Sequence, residues 1–418
     1  MTPGFDMGAR AVLRCDLMRR PPFSETADGL CRRFLTPAHK AALDQLSVWM
    51  GEAGMSVRID AAGNLVGRYE ATTPERPALM FGSHIDSVRN GGAYDGALGV
   101  TLAIDCVEAL HRARRRLDVA IEIVAFGDEE GSRFAASMGC SRAMAGSFDP
   151  AMLALTDIDG VTMAEAFSNF GLAPDKVGEA ARACADLIGF IEPHIEQGPA
   201  LEEAGLAVGV VTAIAAQRRI RVRWAGRAGH AGTTPMRLRR DPLAAAAEAM
   251  SAVEAHCRAG SHGLVGTVGQ ISVQPGAFNV IPGAATFSLD VRAETDAVCD
   301  AAVTALLDRF GEIAEARDIG LEIERVQSLA ASPSDAALSA ALRRAVEATV
   351  AGPCLSLPSG AGHDAMVMAG LCPAAMLFIR CRDGLSHHPD EHVTHEDAAV
   401  AARVLLAFLD AYEGPVAP

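Results

Sequence analysis

Apolar and polar positions along the chain fall into two textures. Residues 38–55 repeat at helical spacing, followed by a short strand at Val57–Ile59 and another at Asn64–Tyr69. Leu79–Phe81 reads as a buried strand ending in the polar turn Gly82-Ser83-His84, with a helix from about Ala97 to Arg114. Val119–Phe126 is apolar and β-branched, the pattern of a strand covered on both faces, and it runs directly into Gly127-Asp128-Glu129-Glu130-Gly131. Leu187–Ile191 is a further strand-like run. Strands alternating with helices predict an α/β fold with a mainly parallel central sheet flanked by helices. In such sheets functional groups gather where strands end.

The texture changes near residue 212. Ile220, Val222 and Trp224 alternate with Arg219, Arg221 and Arg223, as in a half-buried strand. A helix over Asp241–Arg258 opens with an Asp-Pro pair suited to its first turn. Strand-like runs at Val265–Val273 and Ala285–Val291 come next, then a helix at Asp296–Ala316 and a strand at Leu321–Val326. The order β-α-β-β-α-β predicts a ferredoxin-like α+β domain at residues 212–328, inserted between two parts of a larger domain, 1–211 and 329–418. The second part closes with the helix Glu396–Tyr412.

Composition narrows the function classes. Thirty-seven basic against 52 acidic residues give a net charge of −15, which argues against a nucleic-acid or anionic-membrane surface. The ten cysteines form no CxxC pair, the pattern of reduced packing thiols in a cytoplasmic protein. Arg19-Arg20 is followed by prolines and polar residues, so it makes a poor export signal. No apolar stretch reaches the length of a membrane span.

Four polar clusters carry candidate chemistry. In the first, His84 is followed by Asp86, a carboxylate placed to fix an imidazole tautomer, and Asp95 lies in the glycine-rich loop Gly91-Gly92-Ala93-Tyr94-Asp95-Gly96. A polar turn whose acids cap a helix explains either motif alone equally well. The second is Asp128-Glu129-Glu130, adjacent acids at the end of a buried strand, which persist mainly where cations neutralise them. The third is Glu192-Pro193-His194-Ile195-Glu196-Gln197-Gly198, and the fourth is Ser386-His387-His388-Pro389-Asp390-Glu391. Local chemistry does not choose between His387 and His388. Of the remaining histidines, His230 and His363 are flanked by glycine and free to approach a ligand, whereas His39, His111, His256 and His262 read as solvated.

Taken in order, GSHIDSV, NGG, DG, DEEGSRF, HIEQGP, AIAAQRR, GHAGTTPM, FNVIPG, LDVR, SGAGHDA and GLSHHPDE resemble the metal-dependent amidohydrolases of the aminoacylase/carboxypeptidase superfamily. The branch they resemble contains allantoate amidohydrolase, N-carbamoyl-L-amino-acid hydrolase and β-ureidopropionase, and the likeness runs from about residue 25 to 412. It implies two divalent ions per subunit, zinc or manganese, with cobalt or nickel also compatible. His84 and His194 would hold one ion, Glu130 and His387 the other, and Asp95 would bridge them. The family's S-H-x-P-x-E pattern selects His387 over His388. Glu129 would be the general base, with Asp86 behind His84. His194, where peptidases and acylases of the superfamily carry Asp or Glu, points to the branch that cleaves ureido groups.

The resemblance also gives the large domain the catalysis and the small one substrate recognition and a homodimer contact. Arg292 would pair with a substrate carboxylate. Gln197, Gln217, Asn279, Gly362 and His363 would line the substrate. His230, reaching across from the partner subunit, would stabilise the oxyanion. The expected reaction is hydrolysis of a small carboxylate-bearing ureido compound, allantoate slightly ahead of N-carbamoyl amino acids and β-ureidopropionate. A dipeptidase or N-acyl-amino-acid hydrolase is the competing enzyme. A binding protein without activity is the third reading, and it predicts a missing ligand or base where none is missing.

Overall fold

The computed structural model describes residues 6–261 and 263–412, so His262 lies outside the described residues. The chain divides into two compact units. One takes the chain up to Val211, then Ser334–Leu357 and the residues from His363 on; the other is Thr212–Pro333 with Pro358–Gly362.

The sheet of the first unit runs in the order Ser56–Ile59, Leu65–Tyr69, Ala120–Phe126, Ala78–His84, Leu187–Ile195, Ala374–Ile379, then Val208–Ile214, paired through residues 208–210. The middle four strands are parallel and the flanking pairs antiparallel, so the expected mainly parallel α/β sheet is what the chain forms. Every residue of Ala78–His84 and Ala120–Phe126 is buried. Helices Pro37–Glu52, Ala97–Arg112, Ala336–Thr349 and His395–Ala411 contribute Leu43, Leu46, Leu98, Leu102, Leu342, Leu405 and Phe408 to one hydrophobic core. Each such side chain is worth about 1.5–3 kcal/mol on burial. A helix at Met7–Met18, absent from the sequence reading, packs against Ala97–Arg112, and its Arg10 and Arg14 converge on the fully buried Asp105.

Several sequence expectations need correction. The strand Ala78–His84 continues through Gly82-Ser83-His84, which therefore form no turn. A Cβ on Gly82 would lie 2.0 Å from the Val124 carbonyl oxygen, so glycine admits the neighbouring strand, while the Ser83 hydroxyl donates to Glu192 at 2.7 Å. The strand from Leu187 likewise extends past Ile191 to Ile195, carrying His194 inside the sheet. His39, expected in solvent, is fully buried: it stacks on Phe170, and its Nδ1 accepts the Leu35 amide at 3.1 Å.

In the second unit, Ile271–Gln274, Ala284–Ala293, Ala216–Ala225 and Gly320–Leu329 form an antiparallel sheet in that order. The single strand expected over Val265–Val273 is two, Val265–Thr267 and Ile271–Gln274, both pairing with Ala284–Ala293. Helices Pro242–Ala259 and Asp296–Ala316 cover one face, where Trp224, Phe287 and Phe310 pack at ring separations of 5.8–6.5 Å. On the other face Arg221 pairs with Glu324 and Arg223 with Glu322, each at 2.6 Å. All ten cysteines are free thiols, and no helix among the described residues is long and apolar enough to cross a membrane.

Candidate metal centre

Parallel strands of the first unit deliver the polar groups to one end of the sheet. His84 is the last residue of its strand, and His194 lies one residue from the end of the next. Glu129 and Glu130 follow Ala120–Phe126. Asp95 precedes the helix Ala97–Arg112 across Gly96, whose φ is +64° and where a Cβ would lie 2.5 Å from the His84 ring. Glycine at 96 is thus what lets Asp95 close on His84. His387 sits in a loop at φ +56°.

These side chains meet around one carboxylate. Asp95 Oδ1 lies 3.0 Å from His194 Nε2 and 3.5 Å from His84 Nε2. Its Oδ2 lies 3.3 Å from His387 Nε2, which is 3.5 Å from Glu130 Oε1. His84 Nδ1 faces the Asp86 carbonyl at 3.1 Å, and His194 Nδ1 faces the Ile195 carbonyl at 2.8 Å. A carbonyl only accepts, so each Nδ1 carries a proton, and each Nε2 is the ring atom turned inward, where the Asp95 carboxylate holds both imidazoles above their usual pKa against the effect of burial. Those two Nε2 atoms are 3.4 Å apart, an unfavourable approach unless a cation lies between or beside them. Donor atoms of His84, Asp95 and His194 lie within 4.8 Å of one another, as do those of Asp95, Glu130 and His387, and of His84, Glu129 and Glu130. Asp86 accepts the Glu129 amide at 3.1 Å and the Glu130 amide at 3.2 Å, fixing the acidic turn against His84.

The electrostatics of the cluster call for positive charge. Burial pushes the Glu129 carboxyl well above its usual range, Glu130 and Asp364 adding to the effect and His84 opposing it. Burial, then the Asp95 charge, raises Glu130 to about 7. The hydrogen bond to Asp95 draws His387 up to about 9. Asp95 itself stays well below the usual range because its three imidazoles outweigh its burial. Asp95 Oδ1 finds no aligned hydrogen-bond donor among the described residues. Imidazoles with free Nε2 atoms around an undersatisfied buried carboxylate fit a divalent transition metal.

Gln197 donates from Nε2 to Asp95 Oδ2 at 3.0 Å. His363 is buried with its ring 4.5 Å from that of His194, and it shares a donor group with His194 and Glu192. His388 is exposed beside Asp390. The other predicted residues belong to the second unit. There Arg292 pairs with Asp290 at 3.1 Å and donates to the Gly360 carbonyl at 2.6 Å, beside an open cavity of about 700 Å³. Gln217, opposite Arg292 in the sheet, donates to the same Asp290 at 2.8 Å. Gly362 closes the short segment Pro358–Gly362 of that unit. His230 is exposed and pairs with Val280, and the carbonyl of the adjoining Asn279 accepts the Ala231 amide. The sequence reading missed the buried Glu192 and Glu391. Glu391 accepts the Tyr94 and Asp95 amides, and a buried acid in the histidine-rich loop was the available signal.

A model of the peptidase family M20/M25/M40 matches residues 80–411. An N-carbamoyl-L-amino acid amidohydrolase of Geobacillus stearothermophilus is 44% identical over 91% of this chain and 93% of its own length. A probable allantoate deiminase of Oryza sativa subsp. japonica is 37% identical over 97% of this chain and 91% of its own. Among solved structures, a hydantoinase/carbamoylase family amidase from Burkholderia multivorans matches with a TM-score of 0.89 at 34% identity, over 96% of this chain and 97% of that one.

Proposed function

Because the chain belongs to the peptidase family M20/M25/M40, whose members are metal-dependent hydrolases, we propose that it cleaves the ureido C–N bond of a small carboxylate substrate at a two-ion centre. The observation that carries this reading is the Asp95 carboxylate, shared between a His84–His194 group and a Glu130–His387 group. The carbamoyl and allantoate specificities named for the relatives support the substrate class. Allantoate stands slightly ahead, with N-carbamoyl-L-amino acids and β-ureidopropionate as alternatives.

In this reading His84 and His194 would hold one ion and Glu130 and His387 the other, with Asp95 shared between them. Such a pair, when bound, polarises a carbonyl and lowers the pKa of a water towards neutrality. Asp86 holds the Glu129 and Glu130 amides in place. Glu129 accepts the proton of the attacking water and returns it to the departing nitrogen, the work a raised carboxyl pKa suits. Ammonia leaves, and the remaining carbamate loses carbon dioxide. Arg292 binds the substrate carboxylate in a bidentate pair. Gln197, Gln217, Asn279, Gly362 and His363 line the substrate. His230 of the partner subunit in a homodimer donates to the oxyanion, an interaction worth roughly 3 kcal/mol of barrier.

Ammonia release tests this directly. Protein stripped of metal and reloaded with zinc or manganese should liberate ammonia from allantoate, an N-carbamoyl-L-amino acid or 3-ureidopropionate. Silence on all three, with turnover of a dipeptide or N-acyl amino acid, would replace the proposal by the peptidase or acylase reading.

A further inference from the structure

Glu391 belongs to none of the donor groups around Asp95, yet it is only 3% exposed. Its Oε1 accepts the backbone amides of Tyr94 at 2.8 Å and Asp95 at 3.1 Å. Its Oε2 lies 3.0 Å from the Ser386 hydroxyl, which lies 2.8 Å from Asp95 Oδ2. One buried carboxylate therefore ties together the loop that carries Asp95 and the loop that carries His387. Gly92 leaves it room: a Cβ there would stand 2.3 Å from the Cβ of Glu391.

The two sides of Asp95 are supported unequally. Oδ1 faces His84 and His194, both set in central strands of the sheet. Oδ2 faces His387, a loop residue whose side chain is 51% exposed. On that side the Ser386–Glu391 link joins the two loops, with Gln197 Nε2 lying 3.0 Å from Asp95 Oδ2 and 3.4 Å from the Ser386 hydroxyl. Removing a carboxylate whose acceptors are all engaged also strands the Tyr94 and Asp95 amides without partners.

We propose that Glu391 is a positioning residue that sets the spacing of Asp95 and His387 and so builds the second ion site, made of Asp95, Glu130 and His387, without itself touching ion or substrate. The proposal rests on the two-ion reading above. It predicts unequal damage. Cobalt(II) titrated into metal-stripped protein, followed by its visible absorption and by elemental analysis, should fill two sites per subunit in the wild type. In Glu391→Ala one site should keep its affinity while the other weakens by about 10–100-fold, the range for losing a residue that orients a ligand. Glu391→Gln should restore both sites. Its amide oxygen still accepts from Tyr94 and Asp95, and its amino group donates to Ser386, whose own proton then goes to Asp95. Gly92→Ala, which displaces Glu391 without altering it, should repeat the alanine pattern, and it decides the matter if Glu391→Ala fails to fold.

Two intact sites in Glu391→Ala, equal weakening of both, or a glutamine variant as impaired as the alanine one would overturn the proposal. A wild type that takes only one cobalt overturns the two-ion reading itself, and the role of Glu391 with it.

Discussion

Adjacent residues in the acidic turn face different demands. Glu130 shares donor groups both with Asp95 and His387 and with His84 and Glu129, whereas Glu129 joins only the latter. Glu129→Gln should therefore cut kcat by about 10²–10⁴-fold, the usual worth of a general base, while bound metal measured by elemental analysis stays at the wild-type level. Loss of an ion from that variant would mean that the base and the ligand are exchanged. The motifs made His84, Asp95, His194 and the Glu129–Glu130 pair legible in the sequence, because metal-binding donors stand there beside glycines and strand ends. Glu391 stood in view at the end of the Ser386–Glu391 cluster, but its role did not show there. It answers backbone amides of Tyr94 and Asp95 far away in the chain, and a local motif does not reveal such a partner.

At the level of elements, strands were found but their ends were misplaced. Ser83 read as part of a turn and His194 as lying beyond its strand, whereas in the sheet their partners come from neighbouring strands: Glu192 for Ser83, and the Phe378 register for His194. The helix Pro37–Glu52 offers the converse lesson. His39 falls on the same face as Leu43, Leu46 and Met50, a helical spacing that signals burial whatever the residue type. Burial drives its pKa down from 6.5 to about 4. The folded state then holds a neutral imidazole that the unfolded chain protonates below about pH 6.5. Stability from this residue is complete above that pH and is lost as pH falls towards 4, by about 3 kcal/mol in all. Urea unfolding should show the wild type losing that much more than His39→Gln between pH 7 and pH 4. An equal loss in both proteins would mean that acid destabilises the fold elsewhere.

For the molecule as a whole, the two cores share no residue, and each contains one of the chain's two tryptophans: Trp49 in the first unit and Trp224 in the second. Ligands stabilise only the structure that binds them, by about 2.7 kcal/mol at a hundredfold excess over Kd. Zinc or manganese should therefore raise the urea midpoint reported by Trp49, read in a Trp224→Phe variant. The midpoint reported by Trp224, read in Trp49→Phe, should move far less. Equal shifts would show that the units unfold as one. The mainly parallel sheet was readable from the alternation of strands and helices, but the return of Pro358–Gly362 to the second unit was not, since five residues carry too little pattern to reveal which core they join.

The order of these side chains along the chain also has a consequence for synthesis. His84, Asp95, Glu129, Glu130 and His194 all precede the second unit, whereas His387 and Glu391 come almost last. At roughly 5–20 residues per second, a ribosome needs on the order of 10–40 s to travel from His194 to His387. During that interval the nascent chain can already present His84, Asp95 and His194, but it cannot yet close the Oδ2 side of Asp95. In the two-ion reading the first ion is therefore open to capture from whatever the surroundings offer during translation. The second must wait until His387 has been made, so in that reading the two positions sample metal supply at different times and can be filled by different elements.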